Sequence, residues 1–415
     1  MMNRRRLSGW KIPALLLGIV VALTGGAALW IRIIEARRWA EMEKEVQSLL
    51  AEATSRDTAR PVLYGEAVSG NAWDDYSQTI PLAEPLGKSW KVIYDYVRRE
   101  QKAEPERVRA LVAANPVLFD HLRRGAHRSI VAFPRVSPSS ATADILMSLA
   151  ICNARLLVES GKSGDAVHVL LDAAQLANDW GAREWVWTWG TAFELVDVLR
   201  EIVVSQPLDK PQLEELDQAL DRLDRSFPAM SLTTKNKLLA LGLEFLKEDS
   251  WPREASMEDQ WRYGFSPRLM EADAFLFWRR EAVSSGIGDT APWPEAQREA
   301  QAFQSRYSAE KNRLVRPYTD GVVGTAEFVR LRRAQIRLLR MAARARADGR
   351  ILDLDDPFGA KLRTEEKAGR LRIWSVGRDG RDDGGDDGGD PAWFRRRRNG
   401  PPPAPAKDLV IEVSR

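Results

Sequence analysis

The chain has 415 residues, of which 29% are charged, and its formal net charge is +3. This balance argues against nucleic acid as the main partner, because a nucleic-acid-binding protein normally carries a marked basic excess. Cys152 is the only cysteine, so no intrachain disulfide can form and the fold must be stabilised by its core alone. The length is enough for two or three domains of ordinary size.

The N-terminal region contains an uncharged run over residues 12–31. Its twenty residues are enough to cross a hydrocarbon layer of about 30 Å as a helix. Trp10 and Trp30 stand at its two ends, as is typical of aromatic residues at a membrane interface. We therefore predict a transmembrane anchor over residues 12–34, preceded by a cytoplasmic tail over residues 1–11.

A cleaved signal peptide is the alternative for this segment, because residues 4–6 are basic and residues 26–28 are small. We favour the anchor, because the apolar run exceeds the ~7–15 residues of a signal-peptide core. Basic residues are nearly balanced on the two sides, so the charge rule does not decide the orientation. The short, basic N-terminal tail favours a single-pass protein of a bacterial cell membrane, with its body outside the cytoplasm.

Residues 35–324 are predicted to form an α-helical extracytoplasmic body. Apolar residues recur there at spacings of three and four, the period of amphipathic helices. The most regular part is a helical hairpin over residues 141–160 and 164–179, joined by a Gly-Lys-Ser-Gly turn. Asn71 or Asp74 is expected to cap one helix and Asp209 or Lys210 to begin another. The predicted fold class is mostly α, with a small antiparallel β module at the C-terminus.

A strongly basic helix is predicted over residues 325–347. Arginines occupy several of its faces, including Arg333, Arg337, Arg340 and Arg344. Such a helix can bind phosphates, anionic lipid head groups or an acidic partner surface. It can equally be a solvated face with no ligand, which is the interpretation we favour.

The sequence carries no recognisable catalytic motif. It lacks a nucleophile elbow, a phosphate-binding loop and a dinucleotide fingerprint. The histidines at positions 121, 127 and 168 have no metal-ligand spacing, and we predict structural roles for them. Tryptophan and other aromatic residues are concentrated in residues 180–300. Packing between helices is the expected role, and an aromatic-lined pocket of an enzyme or of a peptide- or glycan-binding module is the alternative.

After Gly349 the chain changes to the pattern of β-strands. Residues 371–376 alternate in polarity with a period of two, and residues 409–413 form a second apolar strand. Between them lie an Asp/Gly-rich loop over residues 377–391 and a basic, proline-rich insert over residues 392–407. The loop contains six aspartates that could bind a metal: Asp379, Asp382, Asp383, Asp386, Asp387 and Asp390. A structural calcium ion suits this loop, because calcium takes oxygen ligands from flexible acidic loops. A charged linker is the alternative.

Residues 325–415 resemble the C-terminal part of type II secretion major pseudopilins. The shared features are a long helix, a DPFG turn (residues 356–359), a strand leading into SVGRDGRDDGG and a closing DLVIEV strand. The resemblance implies a small antiparallel sheet that a calcium-binding loop holds in place. It assigns the aspartates from Asp379 to Asp390 as ligands, with Asp408 as a later one. The anchor lacks the glutamate of pseudopilins, so the resemblance is confined to this module.

Together these patterns favour a scaffold or interaction protein of the cell envelope, associated with secretion or pilus-like machinery and with envelope protein partners.

Overall fold

The computed structural model describes residues 11–54, 58–132, 140–181, 189–227, 229–247, 266–284, 292–307, 316–386 and 408–414. Most of these residues are helical, and a three-stranded antiparallel sheet lies at the C-terminal end. The predicted fold class is therefore confirmed. Asp387, Asp390, the insert over residues 392–407 and the aromatic residues of segments 182–188 and 248–265 lie outside the described residues.

The described helices and strands follow one another with short connections. The helices are α1 (Lys11–Thr54), α2 (Ala72–Ala83), α3 (Trp90–Val97), α4 (Pro105–Ala113), α5 (Pro116–Ala126), α6 (Ser140–Glu159), α7 (Ser163–Gly181), α8 (Trp189–Ser205), α9 (Lys210–Arg225), α10 (Met230–Phe245), α11 (Pro267–Ser284), α12 (Trp293–Tyr307) and α13 (Arg316–Asp348). The strands are β1 (Thr58–Ala59), β2 (Val68–Asn71), β3 (Arg128–Val131), β4 (Arg363–Lys367), β5 (Arg370–Ser375) and β6 (Leu409–Ser414).

Local capping explains where several helices begin. The Asn71 side chain accepts a hydrogen bond from the Trp73 amide at the start of α2, as predicted. Asp209 and Gln212 form a reciprocal capping box at the start of α9, which satisfies two amides that a helix end would otherwise leave unbonded. Helices α4 and α5 each begin with proline, whose missing N–H costs nothing at that position.

Helix α1 joins the apolar N-terminal segment to the body without a break. Its 44 residues correspond to a length of about 66 Å at the usual helical rise. The apolar side chains from Leu15 to Ile33 are mostly exposed, whereas Met42, Val46 and Leu49 are buried against α10 and α11. The exposed half is long and apolar enough to cross a membrane. Helix α6 has a similar composition but is largely buried, so packing accounts for its apolar residues.

The body is built around the antiparallel pair α6 and α7, against which α8 packs. This is the hairpin that the sequence predicts. Cys152 lies buried in α6, and burial raises the pKa of its thiol to about 12. A thiol that stays protonated is a poor nucleophile, which agrees with the structural role predicted for this cysteine.

Helix α13 belongs to the body as much as to the C-terminal module. It begins at Arg316, so the predicted domain boundary between residues 324 and 325 falls inside it. It packs against α8, α9 and α12 on one side and against the C-terminal sheet on the other. A single hydrophobic cluster extends from Met42 to Val413, so the sheet shares its core with the helices.

The arginines of α13 bind an acidic face of α9. Asp224 accepts hydrogen bonds from two guanidinium groups at 2.8 Å each, and Asp217 accepts from two others at 2.8–3.3 Å. The pairs are Asp224 with Arg333 and Arg337, and Asp217 with Arg340 and Arg344. The favoured interpretation of a solvated face is therefore wrong for these four arginines. Their charges are used inside the protein, because the two helices have complementary charge along their contact.

The C-terminal sheet has the strand order β4-β5-β6, with both pairs antiparallel. Leu371 lies opposite Val413, and Ile373 lies opposite Ile411, and all four side chains are buried. Trp374 on the other face is also mostly buried, because the acidic loop covers it. A second small sheet, with the order β1-β3-β2, lies near the start of the body.

Candidate functional site

The DPFG turn fastens the end of α13 to the sheet through one carboxylate. Asp356 Oδ1 accepts hydrogen bonds from the Phe358 amide at 2.9 Å and from Ser375 Oγ at 2.7 Å, and Oδ2 accepts from the Val376 amide at 2.9 Å. Burial raises the pKa of Asp356, and the three hydrogen bonds oppose that rise. The turn and the last residues of β5 therefore form one bonded unit.

The first aspartates of the acidic loop stabilise the loop itself. Asp379 accepts a hydrogen bond from the Arg381 amide at 3.0 Å. Asp382 Oδ1 accepts from the Gly384 amide at 3.1 Å and from the Trp374 indole at 3.0 Å. The indole bond is the main cause that lowers the pKa of Asp382. Both side chains thus remain ionised and hold tight turns, in which Gly384 adopts a positive φ of 70°.

Asp408 lies at the other end of the loop, directly before β6. Its residue is only 3% exposed, and its Oδ2 accepts a hydrogen bond from the Gly385 amide at 2.7 Å. Its Oδ1 is buried and has no hydrogen-bond partner among the described residues. Burial raises the pKa of Asp408, and the negative charges of Asp382 and Asp383 raise it further. An unbonded buried carboxylate oxygen beside other carboxylates is a place where a cation would be stabilised.

The predicted metal ligands are only partly brought together. Within the part of the chain that the structure describes, no three Asp, Glu, His or Cys side chains converge as a metal site. Of the six predicted aspartates, Asp379 and Asp382 are engaged in turns. Asp383 acts electrostatically on Asp408, and the backbone carbonyl of Asp386 accepts from the Asp408 amide at 3.2 Å. The donors are all oxygens, which is the chemistry that calcium requires.

The loop is also attached to the helical body, which the sequence did not suggest. The Trp293 indole in α12 donates a hydrogen bond to the Arg378 carbonyl at 2.7 Å. The Arg378 guanidinium binds Glu327 of α13 at 2.9 Å, and the Trp293 ring meets Phe358 edge to face at 5.2 Å. The first turn of the loop is therefore held by two helices.

Two of the three histidines flank a buried tyrosine in the body. The Tyr64 ring stacks on His168 at 4.3 Å and meets His127 edge to face at 4.7 Å. Its hydroxyl donates to Asp172 at 2.8 Å, and His168 contacts Glu215 at 2.9 Å. Burial raises the pKa of Tyr64, so the hydroxyl remains a donor. The cluster fastens the segment between β1 and β2 onto α7, which is the structural role predicted for these histidines.

A second buried tyrosine ties α2 to α7 in the same way. Tyr76 donates to Asp179 at 3.0 Å, and Arg60 lies 3.4 Å from the same carboxylate. Burial raises the pKa of both Tyr76 and Asp179. The Arg60 charge opposes the rise at Asp179. These groups hold the small N-terminal sheet against the helical hairpin.

One cavity of about 470 Å³ opens between α3, α4, α6 and α8. Its size is within the ~300–1,000 Å³ usual for ligand sites. Arg99 and Arg155 meet Glu201 in its wall, at 2.7 Å and 3.8 Å, and Tyr96 is its only aromatic residue among those described. The described aromatic residues of segment 180–300 with known side-chain positions include Phe275, Trp278 and Trp293, which are buried in the core.

Two buried carboxylates lie near the start of α8, outside that cavity. Asp144 accepts a hydrogen bond from Thr191 at 3.1 Å, and Glu194 accepts from Arg98 at 3.1 Å. Burial raises the pKa of Asp144 to about 7, and the charge of Glu194 adds to that shift. Carboxylates with raised pKa values are used as general acids in enzymes, but neither residue lines the cavity.

Comparison of the chain with protein-family models, with curated proteins and with solved structures finds no match.

Proposed function

We propose that this chain is a single-pass envelope protein whose helical body serves as a rigid scaffold for an interaction module at its C-terminus. The observation that carries the proposal is the continuity of α1, whose first half is apolar and exposed and whose second half is part of the body core. A helix without a hinge transmits the position of the membrane directly to the body. The body would lie outside the cytoplasm of a bacterial cell, with envelope proteins as partners.

The C-terminal module has, in this proposal, the role of the pseudopilin-like sheet, in association with secretion or pilus-like machinery. Calcium is its proposed structural ligand, held by Asp408 with Asp383 and the later loop aspartates Asp386, Asp387 and Asp390. Calcium would neutralise the carboxylates and join the two ends of the loop. Asp379 and Asp382 would support the site by holding the turns of the loop.

A test of the topology uses the buried native cysteine. Because Cys152 is buried, the variants Asn3→Cys and Asp120→Cys each add one reactive thiol, in the tail and on the exposed face of α5. A membrane-impermeant maleimide on intact cells should label Asp120→Cys but label Asn3→Cys only after permeabilisation. The reverse pattern, or a chain that has lost its N-terminal residues, would overturn the proposed topology.

Calcium binding is tested by calorimetry and thermal melting of the full chain in detergent. Binding at one hundred times the dissociation constant adds ~2.7 kcal/mol of stability, which should raise the melting temperature by about 3 °C. Asp408→Asn should abolish the heat and the shift, whereas Asp120→Asn should leave both unchanged. No heat and no shift at millimolar calcium would contradict the calcium proposal and leave a charged linker.

The alternative function, a ligand-binding or catalytic body, draws its support from the cavity that Tyr96, Arg155 and Glu201 line. Retention of a small molecule by the purified full chain, released by denaturation and lost in Ile202→Trp, would favour it over a scaffold alone.

A further inference from the structure

The first turn of α11 adjoins α1 where the exposed apolar stretch ends. Ile33 is the last large exposed apolar residue of that stretch, at 54% exposure, and the next residue, Ile34, packs against Leu269 and Met270 of α11. Trp39 lies six residues further on, about 9 Å along the helix axis. The headgroup layer on each side of a bilayer is roughly 5–8 Å thick. The start of α11 therefore lies at headgroup depth if α1 spans the membrane.

Two arginines at this level are already paired with acids. Arg32 contacts Glu35 at 3.3 Å. Arg38 contacts Glu41 at 3.1 Å and Asp273 of α11 at 3.4 Å. These ion pairs join α11 to α1 and leave little net charge for an external ligand.

The other two arginines, Arg37 and Arg268, are exposed. The Arg268 guanidinium lies over the Trp39 ring, 5.2 Å from its centroid, which holds it beside α1 by a cation–π contact. Among the described residues, no carboxylate lies within ion-pair distance of either arginine. The level thus carries two uncompensated guanidinium groups beside an interfacial tryptophan. Arginine is suited to phosphate, because its planar group donates two parallel hydrogen bonds.

We propose that Arg37 and Arg268 bind the phosphate groups of anionic phospholipids in the leaflet next to the body. The start of α11 is then a second membrane contact, 234 positions after Ile34 to Arg268 along the chain, which fixes the rotation of the body about α1. This inference rests on the proposed membrane anchor. Each arginine near an anionic surface contributes ~1 kcal/mol, or about a fivefold change in an equilibrium.

Hydrogen exchange of the full chain in lipid nanodiscs tests the inference. Amides at positions 270–274 should exchange about fivefold more slowly in discs that contain phosphatidylglycerol than in discs of phosphatidylcholine alone. Arg268→Gln should remove this difference. The matched control is Arg298→Gln, a change at an exposed arginine of α12, and it should preserve the difference. Free inorganic phosphate added to phosphatidylcholine discs should cause no slowing.

Equal exchange in the two kinds of disc, or an unchanged difference in Arg268→Gln, would overturn the headgroup contact and leave the anchor intact. Slowing by free phosphate would also overturn it, in favour of a site for soluble anions. A chain that fails to enter either disc would overturn the anchor itself, and the headgroup contact with it.

Discussion

The contact between α9 and α13 depends on carboxylates that each hold two arginines, and Asp224 is the place to perturb it. Asp224 is 6% exposed and accepts one hydrogen bond on each oxygen, from Arg333 and Arg337, both at 2.8 Å. Asp224→Asn removes the charge with little change of volume. It also replaces one acceptor with an amide donor that faces a guanidinium group.

The expected cost follows from the number of bonds and from their exposure. Hydrogen bonds between charged groups contribute ~1.5–3 kcal/mol each, and the part of Arg333 that is exposed to solvent reduces its share. We expect a loss of about 2–4 kcal/mol. Unfolding entropy scales with length, so for a chain of 415 residues this loss lowers the melting temperature by about 3–4 °C.

The assay is thermal unfolding of the full chain in detergent, followed by far-ultraviolet circular dichroism. A double-mutant cycle with Arg337→Gln should show a coupling of at least ~1 kcal/mol, because the two side chains bond directly. Asp120→Asn, an exposed carboxylate of α5, is the control. If Asp224→Asn melts with the control, or if the two substitutions are additive, the carboxylate does not join the helices as described.

Three further changes test other parts of the structure. Asp144→Asn should stabilise the protein by about 2–4 kcal/mol above pH 7 but not near pH 4. Burial raises the pKa of the Asp144 carboxyl to about 7, so the wild-type protein loses this stability as the pH rises from about 4 to 7; the Thr191 hydrogen bond can be kept by the asparagine. Asp356→Ala should cost about 3 kcal/mol, because it leaves the Ser375 hydroxyl and two buried amides without their acceptor. Gly385→Ala should cost about 1–2 kcal/mol, because its φ of 77° is strained for any residue with a Cβ.

These changes are measured by melting curves and, for Asp356→Ala, by hydrogen exchange of the sheet. A pH-independent effect of Asp144→Asn would refute the assignment of its raised pKa. Exchange in β5 and β6 that does not accelerate in Asp356→Ala would contradict the role of the turn. Gly384→Ala is the control for Gly385→Ala: it has a similar φ but open space around it, whereas an added Cβ at Gly385 lies 3.3 Å from Arg372 Nε. Equal costs would show that strain alone matters there.

Features set by neighbouring residues could be predicted from the sequence. The twenty uncharged residues of the anchor predict a long apolar helix, because length and polarity are properties of the run itself. The caps at Asn71 and Asp209 were found because a capping side chain bonds to amides two or three positions away. The alternation around Ile373 predicted a strand with a buried face. The start of α13 at Arg316 was missed, because nine residues before the predicted start carry glycine, proline and little helical period.

The candidate site depends on contacts that the sequence does not encode locally. Aspartates in a glycine-rich loop point to a metal, but the sequence does not distinguish those that hold turns, such as Asp382, from Asp408 with its unbonded oxygen. The indole of Trp293 reaches the loop across 85 positions, and no local pattern indicates it.

The sequence by itself determined the apolar helix, most of the helical body and the closing sheet, because these follow from interactions within a few residues. The tertiary structure decided what the charges do. Arg333 finds Asp224 across 109 positions, so a helix that looked like a surface for anions became part of the core contact. Ion pairing depends on which faces meet, and that is settled only when the hydrophobic stripes pack.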